Sequence, residues 1–490
     1  MLRPPTEAAP ALATLDQSAV RKIIIGVLLA MLLAALDQTI VATALPTMSN
    51  SLGDVDNLSW VVTAYLLSAT ATTPLYGKLS DIHGRRTMIL IGIGVFIAGS
   101  IACAVAPTMW ALIIGRALQG LGGGGLVPLA QAVIGDVAPP HERARYQALT
   151  GTVFLVATVG GPIVGGFITQ YLHWSLIFWI NVPLGAMAFA MTHDLLRRLP
   201  RHDRPHALDV LGAVLMVGAA TILMLALTWG GHRYPWGSPV IVALFVCSLG
   251  LWVLFALRQV TAREPFIPVG VMYDGVVRSA TAAAFFANGT TVALTIFVAL
   301  YFQLALGVSA SRSGIAIIAL QGGATLAAMM TGRLMARVAH YRRIPMFSLG
   351  VGIASLSLLA LEPTNLPLTL VVVLIVLVGC GIGPMFPTTI VAIQNAVSLH
   401  QLGIASSLIS FSRSLGGSLI VTAFSAIVLV GAPDGGPTAV EHLAGQAGSL
   451  SVSVFRWVFV AGATCLSAAF GCLMLIEERP LRGSFSGSVE

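Results

Sequence analysis

Positions 77–87 read Gly-Lys-Leu-Ser-Asp-Ile-His-Gly-Arg-Arg-Thr, a short polar turn between two long apolar blocks. Gly77 and Gly84 permit a tight turn and a close approach of helices, because glycine has no side chain to clash. Asp81 is the deciding residue, since a loop that only fixes membrane topology needs arginines but gains nothing from an acid. A carboxylate beside helix N-termini is held by their dipoles. The turn therefore indicates a charged latch between two parts of the chain.

The apolar blocks around this turn belong to a chain for which water is not the main solvent. Of its 490 residues, 57% are hydrophobic and 9% charged, whereas a soluble domain is about 25% charged. A segment of about 20 apolar residues spans a hydrocarbon core about 30 Å thick. Fourteen such segments start near Ile23, Leu58, Thr87, Trp110, Gln147, Leu176, Leu208, Val240, Ser279, Gly314, Ile344, Pro367, Gly403 and Val454. Residues 229–237 are either a loop or helix ends rich in interfacial aromatics, which leaves twelve spans as the alternative.

The distribution of positive charge predicts the orientation, because Lys and Arg in short loops are retained on the cytoplasmic side. Placing the N-terminus inside puts most of the 26 Lys and Arg residues in cytoplasmic loops. The exceptions are Arg116 and Arg413 inside spans, and Arg233, Arg312 and Arg456 near outer loops. We therefore expect a multi-pass protein of the bacterial inner membrane with both termini in the cytoplasm. Topology explains the net charge of +7, so nucleic acid is not an expected partner.

Two ionisable residues lie deep inside the predicted spans. Asp37 is in the first span and Arg116 in the fourth, at depths of roughly 12 and 9 Å for a rise of about 1.5 Å per residue. They can therefore meet at one level. An ionisable group at the centre of a span costs about 2.5–3.5 kcal/mol on insertion scales and usually faces a bundle interior or a wet cavity. We expect Asp37 to titrate with Arg116 as its partner; the alternative is a buried pair that only orients helices.

Several of these segments resemble motifs of the major facilitator superfamily. The turn at 77–87 resembles the family's signature loop. Asp37 lies in a block similar to the first-span motif of the fourteen-span drug exporters, and Arg116 begins an R-x-x-Q-G motif that is associated in the family with proton transfer. The sequence at 160–166, Gly-Gly-Pro-Ile-Val-Gly-Gly, resembles the antiporter motif, and the block at 178–185 is typical of the fourteen-span exporters.

The resemblance implies two groups of residues that latch or bend the molecule. The cytoplasmic gating relay would consist of Gly77, Asp81, Gly84, Arg85, Arg86 and Asp136. The antiporter motif would consist of Gly161, Pro162, Gly165 and Gly166. Proline bends the helix that contains it, while ordinary packing of small residues is the alternative reading of the glycines. The related turn of the second half has Ala336 in place of the acid, which predicts an acidic latch on one side only.

Polar residues inside or near the spans are candidates for the substrate cavity, although such residues often only join helices. The candidates are Gln38, Gln119, Asn181, Asn288, Gln394, Asn395 and Arg413. The second half offers no obvious counterpart to Asp37. The five cysteines lack C-x-x-C spacing, and His442 in the polar segment 431–453 has one acid beside it, so we expect neither a disulfide framework nor a metal site.

The resemblance covers nearly the whole chain and implies an all-α polytopic membrane protein with the major facilitator fold. The expected parts are a cytoplasmic tail at 1–22, a six-helix bundle at 23–200, two extra central transmembrane helices at 201–262, a second six-helix bundle at 263–478 and a cytoplasmic tail at 479–490.

The function implied by this resemblance is export of hydrophobic or amphipathic small molecules by alternating access, in exchange for protons. The chain has no P-loop ATPase motif, so a proton gradient rather than a cofactor must supply the energy. Export of one specific metabolite, such as an amino acid, a siderophore or an endogenous antibiotic, is the first alternative. A membrane enzyme or sensor is the second, but the short loops offer neither a nucleophile with a base nor an output domain. We expect a monomer.

Overall fold

Helices form nearly all of the described chain, because backbone groups in apolar surroundings must be hydrogen-bonded within their own segment. The computed structural model describes residues 17–54, 57–138, 140–195, 208–231, 233–308, 310–335, 341–363, 366–430 and 454–478. The predictions on most of the N-terminal tail, on the C-terminal tail, on Ala336 and on the segment with His442 concern residues outside these ranges.

Seventeen helices follow one another in the described chain. The first half contains α1 (Gln17–Leu52), α2 (Leu58–His83), α3 (Arg85–Ala104), α4 (Met109–Val137), α5 (Pro140–Tyr171), α6 (Leu176–Trp179) and α7 (Asn181–Leu195). The extra central helices are α8 (Val210–Trp229) and α9 (Pro239–Thr261). The second half contains α10 (Val269–Tyr273), α11 (Gly275–Leu304), α12 (Ala310–Met335), α13 (Arg343–Leu361), α14 (Leu368–Ile382), α15 (Met385–Ala396), a 3₁₀ turn (Leu399–Gln401), α16 (Leu402–Val430) and α17 (Val454–Met474).

Thirteen of the fourteen predicted membrane spans coincide with candidate spans of the structure, and the one predicted to start near Leu58 does not. Thirteen of the described helical stretches are long and apolar enough to cross a membrane, with α6–α7 and α14–α15 each counted as one. The helix α2 has 26 residues and packs inside the bundle, but Ser and Thr side chains reduce its apolar character. With α2 included, the described part of the chain contains fourteen long helical stretches.

The apolar core differs between the two halves. In the second half it is one continuous cluster that runs through α11–α17. In the first half it is divided into two clusters, one that ends on α1 at Ala34 and one that begins at Ile40. Asp37 lies in the gap between them. The gap is therefore a polar layer across the first bundle.

The two halves meet mainly along two pairs of helices, with smaller contacts of α4 with α16 and of α5 with α15. α2 packs against α16, and α5 packs against α12. The extra helices α8 and α9 pack against each other, and α8 also contacts both α2 and α16. The extra helices therefore cover one of the two seams between the halves.

Close helix packing in the first bundle depends on glycine at the crossing of α3 and α4. A Cβ added to Gly122 would lie 2.4 Å from the backbone nitrogen of Phe96 and 2.5 Å from the carbonyl oxygen of Gly92. Backbone atoms cannot move aside as a flexible side chain can, so the two helices would have to separate. A Cβ added to Gly94 of α3 would meet nothing within 4 Å.

Gly122→Ala is therefore expected to destabilise the protein by about 1–3 kcal/mol, the usual range for overpacking. The measurement is the apparent melting temperature of the purified protein in detergent, together with the amount recovered from membranes. Gly94→Ala is the matched control and should melt within about 1 °C of the wild type, because it fills open space. Equal melting temperatures for the two variants would contradict the close crossing.

Candidate functional site

A sealed polar layer divides the core of the first half. Its centre is an ion pair in which Nη1 of Arg116 donates to Oδ2 of Asp37 at 2.6 Å. The other carboxylate oxygen, Oδ1, accepts hydrogen bonds from Nε2 of Gln119 and Nδ2 of Asn181, both at 2.8 Å. Nε2 of Gln119 also donates to Oγ of Ser100 at 2.7 Å. All five residues are at most 1% exposed, so these side chains bond to one another away from bulk water, although Oδ1 of Asn181 has no hydrogen-bond partner.

The guanidinium of Arg116 is held on several sides. Its Nε donates to the backbone carbonyl of Val61 at 2.9 Å, and its Nη1 also donates to Oε1 of Gln119 at 2.6 Å. The carbon Cζ lies 4.3 Å from the ring centroid of Tyr65 and 5.9 Å from that of Phe178. Because a buried charge without its partner is costly, the charge of Asp37 controls the stability of this whole arrangement.

The expectation that Gln119 and Asn181 line a substrate cavity is wrong in this structure. Both amides point into the polar layer, where they supply two of the hydrogen bonds that Asp37 needs as a buried anion. Ser100 was missed by the sequence analysis. A serine in an apolar helix usually bonds to its own backbone, as Ser100 does with the carbonyl of Phe96 at 2.9 Å, so its presence alone signals little.

A cavity of about 810 Å³ lies between the two halves of the chain. Of the candidates from the sequence, Gln38, Asn288 and Arg413 line it. Gln394 and Asn395 do not: both are buried in α15. The end of α8 and the loop after it also contribute, including Trp236. Within the described ranges the structure brings together no group of three His, Cys, Asp or Glu side chains that could hold a metal ion.

Tyr65 forms the wall between the cavity and the polar layer. Its side chain lines the cavity, and its ring covers the guanidinium of Arg116. Gln38, the neighbour of Asp37 in sequence, also lines the cavity. A molecule in the cavity can therefore affect the ion pair by displacing one aromatic ring. Tyr65 is not among the residues predicted from the sequence, because a tyrosine in a membrane helix carries no distinctive signal.

Asp81 joins the two halves at the end of the bundle where α2 turns into α3, which we call the Gly84 end. Its Oδ1 accepts a hydrogen bond from the backbone N–H of Gly403 at 3.0 Å, and its Oδ2 accepts one from Ile404 at 2.8 Å. These groups belong to the free N-terminal turn of α16, where a carboxylate is favoured. Arg85 contacts Asp81 and donates through Nε to Asp136 at 2.9 Å. The acid thus clamps α2 to the second half.

Gly77 and Gly84 allow the close packing and the turn at the Gly84 end, whereas Arg86 bonds to a different helix. A Cβ on Gly77 would lie 2.2 Å from Oγ of Ser407, so glycine is needed for α2 to approach α16. Gly84 has φ +88°, a backbone conformation that favours glycine. Arg86 does not take part in the relay predicted for it. Its Nε donates at 3.0 Å to the backbone carbonyl of His193, near the end of α7.

A cluster of buried amides forms a second contact between the halves. Nε2 of Gln394 donates to the backbone carbonyl of Gln131 at 2.9 Å, and Nε2 of Gln147 donates to the same carbonyl at 3.0 Å and to Oε1 of Gln394 at 3.3 Å. Gln394 also donates to Oγ of Ser406 at 3.4 Å. Along α16, Ser406 lies between Gly403 of the latch and the cavity. These amides therefore close the cavity on the side of the Gly84 end.

The predicted antiporter motif forms the contact between α5 and α1. A Cβ on Gly161 would lie 2.0 Å from Oγ1 of Thr39, and one on Gly165 would lie 2.2 Å from Oγ1 of Thr43. A Cβ on Gly166 would meet nothing within 4 Å, so this glycine is not needed for packing. Pro162 lies inside the continuous helix α5. The motif therefore sets the distance between α5 and the helix that carries Asp37.

Comparisons with known proteins agree with this architecture. The sequence profile of the Major Facilitator Superfamily matches residues 27–196 and 195–421. The chain is 33% identical over 417 residues to multidrug resistance protein 3 of Bacillus subtilis (strain 168), covering 84% of this chain and 80% of the relative. It is also 33% identical over 410 residues to the multidrug transporter protein MdtP of the same organism, covering 83% of this chain and 75% of the relative.

Solved structures show the same fold. A bacterial homologue of the iron transporter ferroportin, in its outward-facing state, superposes with a TM-score of 0.66 at 12% sequence identity. The match covers 94% of this chain and all of the other. At such an identity the likeness establishes the fold alone. Together with the matched family profile and the bacterial relatives, it shows that the chain is a multi-pass membrane transporter, not an enzyme, and belongs to the Major Facilitator Superfamily.

Proposed function

We propose that this transporter is a proton-coupled antiporter that exports hydrophobic or amphipathic small molecules, and that Asp37 carries the proton. The observation that supports this most directly is the position of Tyr65, a single ring between a sealed carboxylate and the cavity. The names of the two Bacillus relatives, a multidrug resistance protein and a multidrug transporter, support drug-like small molecules as the transported class. The cavity volume of about 810 Å³ suits molecules of drug size.

The ion pair offers a physical route for exchange. Ionised Asp37 is stabilised by Arg116 and by two amide donors. Protonation removes the attraction to Arg116 and turns an acceptor oxygen into a donor, which faces an N–H group. Arg116 would keep its bonds to Val61 and Gln119. A substrate that displaces Tyr65 would bind more tightly to the protein when Asp37 is ionised. Substrate binding and protonation of Asp37 would therefore compete.

Alternating access would then require the Gly84 end to open. In this conformation Asp81 and the amides around Gln394 close that end, while the cavity lies in the middle of the bundle. We assign the Gly84 end to the cytoplasm of a bacterial cell, with the protein in the inner membrane and both termini inside, because most Lys and Arg residues fall on that side. One chain supplies both halves of the cavity, which is consistent with a functional monomer.

Replacing Asp37 tests the proton carrier. Asp37→Asn is expected to reduce the protons released per substrate bound from about one to none, because the amide cannot ionise. The measurement is proton release, followed with a pH indicator, on addition of amphipathic dyes to the protein in lipid nanodiscs.

Two further variants separate charge from folding in this test. Asp37→Glu keeps an ionisable group and should retain proton release if the protein folds. Asp209→Asn is the matched control, since Asp209 caps α8 and pairs with Arg258 at 3.0 Å outside the polar layer. It should behave like the wild type. A folded Asp37→Asn protein with wild-type proton release would contradict the assignment.

The latch gives a separate prediction about conformation. Asp81→Ala removes two hydrogen bonds between a carboxylate and the first turn of α16. Each charged hydrogen bond contributes about 1.5–3 kcal/mol, so the population open at the Gly84 end should rise at least tenfold. Electron spin distance measurements between labels at His83 and Arg343, in a cysteine-free background, should show a new, longer distance.

Asp136→Asn is the matched control for the latch. It weakens the bond to Arg85 but leaves Asp81 on α16, so the added long-distance population should be smaller than in Asp81→Ala. Unchanged distances in Asp81→Ala would show that the carboxylate does not hold the halves together.

A further inference from the structure

Arg413 of α16 lies in the cavity wall without a negative partner in the described part of the chain. Its Nη2 donates to the backbone carbonyl of Phe386 at 3.2 Å and to Oγ1 of Thr389 at 3.1 Å. Its Nε is sealed from solvent and has no hydrogen-bond partner. By contrast, Arg116 and Arg85 both have carboxylate partners. Arg413 is therefore a cation whose bonds to the protein are incomplete.

The rest of the cavity wall does not compensate this charge. Among the described lining residues Arg413 is the only one that is charged at neutral pH; there is no Asp, Glu, Lys or His. The carboxylate of Asp37 is sealed behind Tyr65 and already bonded to Arg116. An uncompensated charge in a half-buried position is only partly hydrated and carries a desolvation cost. An anion that entered the cavity would therefore bind with both electrostatic and hydrogen-bond gain.

Hydroxyl side chains of α16 line the cavity together with Arg413. The hydroxyl groups of Ser414, Ser418 and Thr422 line the cavity, and the structure gives them no hydrogen-bond partner within its described ranges. Asn288 of α11 fixes the backbone here, since its Nδ2 donates to the carbonyl of Arg413 at 2.9 Å. Arg413 and the adjacent Ser414 can donate to the several lone pairs of a carboxylate or sulfonate group, and the hydroxyl groups farther along α16 can donate to other polar groups of a ligand.

The remaining walls are apolar. Phe154 of α5, Val292 and Ile296 of α11, Met224 of α8 and Trp236 after α8 all line the cavity. Apolar walls bind the hydrophobic body of a ligand, and the one cation in the cavity wall orients its polar group. The cavity thus combines a large apolar volume with one positive charge.

We propose that Arg413 binds the anionic group of the substrate and that the transported class is amphipathic organic anions, carboxylates or sulfonates with an apolar body. The export and coupling of such a substrate rest on the antiport function proposed above, whereas its binding at Arg413 does not. Arg413 is on the second half and Asp37 on the first. The substrate charge and the proton therefore occupy separate sites on opposite sides of Tyr65.

This substrate class has a consequence for the driving force. Export of one monoanion in exchange for one inward proton moves two positive charges inward, whereas exchange of a monocation for one proton moves none. Each charge that crosses 100 mV changes the attainable concentration ratio by about fiftyfold. An inside-negative membrane potential should therefore drive export of the anion even without a pH difference.

The experiment compares two fluorescent ligands with the same apolar body, 1-pyrenebutyrate and 1-pyrenebutylamine, for binding to the purified full chain in nanodiscs of zwitterionic lipid at pH 7. The wild type is expected to bind the carboxylate at least tenfold more tightly than the amine, as one charged hydrogen-bonded pair implies. Arg413→Gln should abolish the preference, and Arg413→Lys should retain part of it. Arg258→Gln removes a positive charge outside the cavity and should leave the preference unchanged.

Each result decides the role of Arg413. Equal affinities in the wild type, or tighter binding of the amine, would overturn the anion site, as would a full carboxylate preference in folded Arg413→Gln. If Arg413→Gln cannot be purified, the comparison of Arg413→Lys with Arg258→Gln decides: a preference weakened only at position 413 supports the site, and equal preferences overturn it. Carboxylate binding without proton release would instead leave the anion site in place and contradict the proposed antiport.

Discussion

The buried ion pair between Asp37 and Arg116 is the constraint on which the first bundle depends. Two opposite charges at 2.6 Å, each at most 1% exposed, are stable only while the polar groups that bond to them stay in place. The layer around them therefore requires Ser100 of α3, Gln119 of α4 and Asn181 of α7 at fixed positions. Four helices are tied to one level by this requirement. The second half has a continuous apolar core and no such requirement.

This asymmetry gives the two halves different charge environments on either side of Tyr65. The first half holds a paired charge that the solvent does not reach, and the second half presents Arg413 to the cavity with its bonding incomplete. Tyr65 lies between them and touches both environments. The ligand charge proposed for Arg413 is negative and attracts a proton, so the proposed exchange must come from displacement of Tyr65 and not from the electrostatic interaction of ligand and proton. Coupling through one aromatic ring is therefore physically reasonable without direct contact between proton and ligand.

The seams between the halves are closed by different means. At the Gly84 end, a carboxylate on the first turn of α16 and a cluster of amides around Gln394 bond across the interface. Along the length of the bundle, α8 packs over the seam of α2 and α16, and the loop after it reaches the cavity through Trp236. The bonds at the Gly84 end are directional and can be exchanged for bonds to water, whereas the contacts of α8 are mainly apolar.

The sequence by itself determined the helices and the pairing of their rarest residues. Apolar length fixes a membrane helix because the bilayer has one thickness, and an acid and an arginine at one depth must meet because neither is stable alone. The resemblance to the family's signature loop grouped Asp136 with Arg85 in one relay, and the lack of a side chain at Gly77 predicted a close approach of helices there.

Only the tertiary structure decided which way the remaining polar side chains face. Helices that are apolar on nearly every side carry no pattern that distinguishes the cavity face from a buried face, so their rotation is set by contacts such as Gly161 on Thr39. For this reason Gln119 entered the polar layer, Gln394 joined the halves, and Arg86 bonded to α7, although sequence reasoning assigned them otherwise. That Arg413 would lack an acid is likewise a property of the assembled helices, because a partner for a buried charge can come from any neighbour in space.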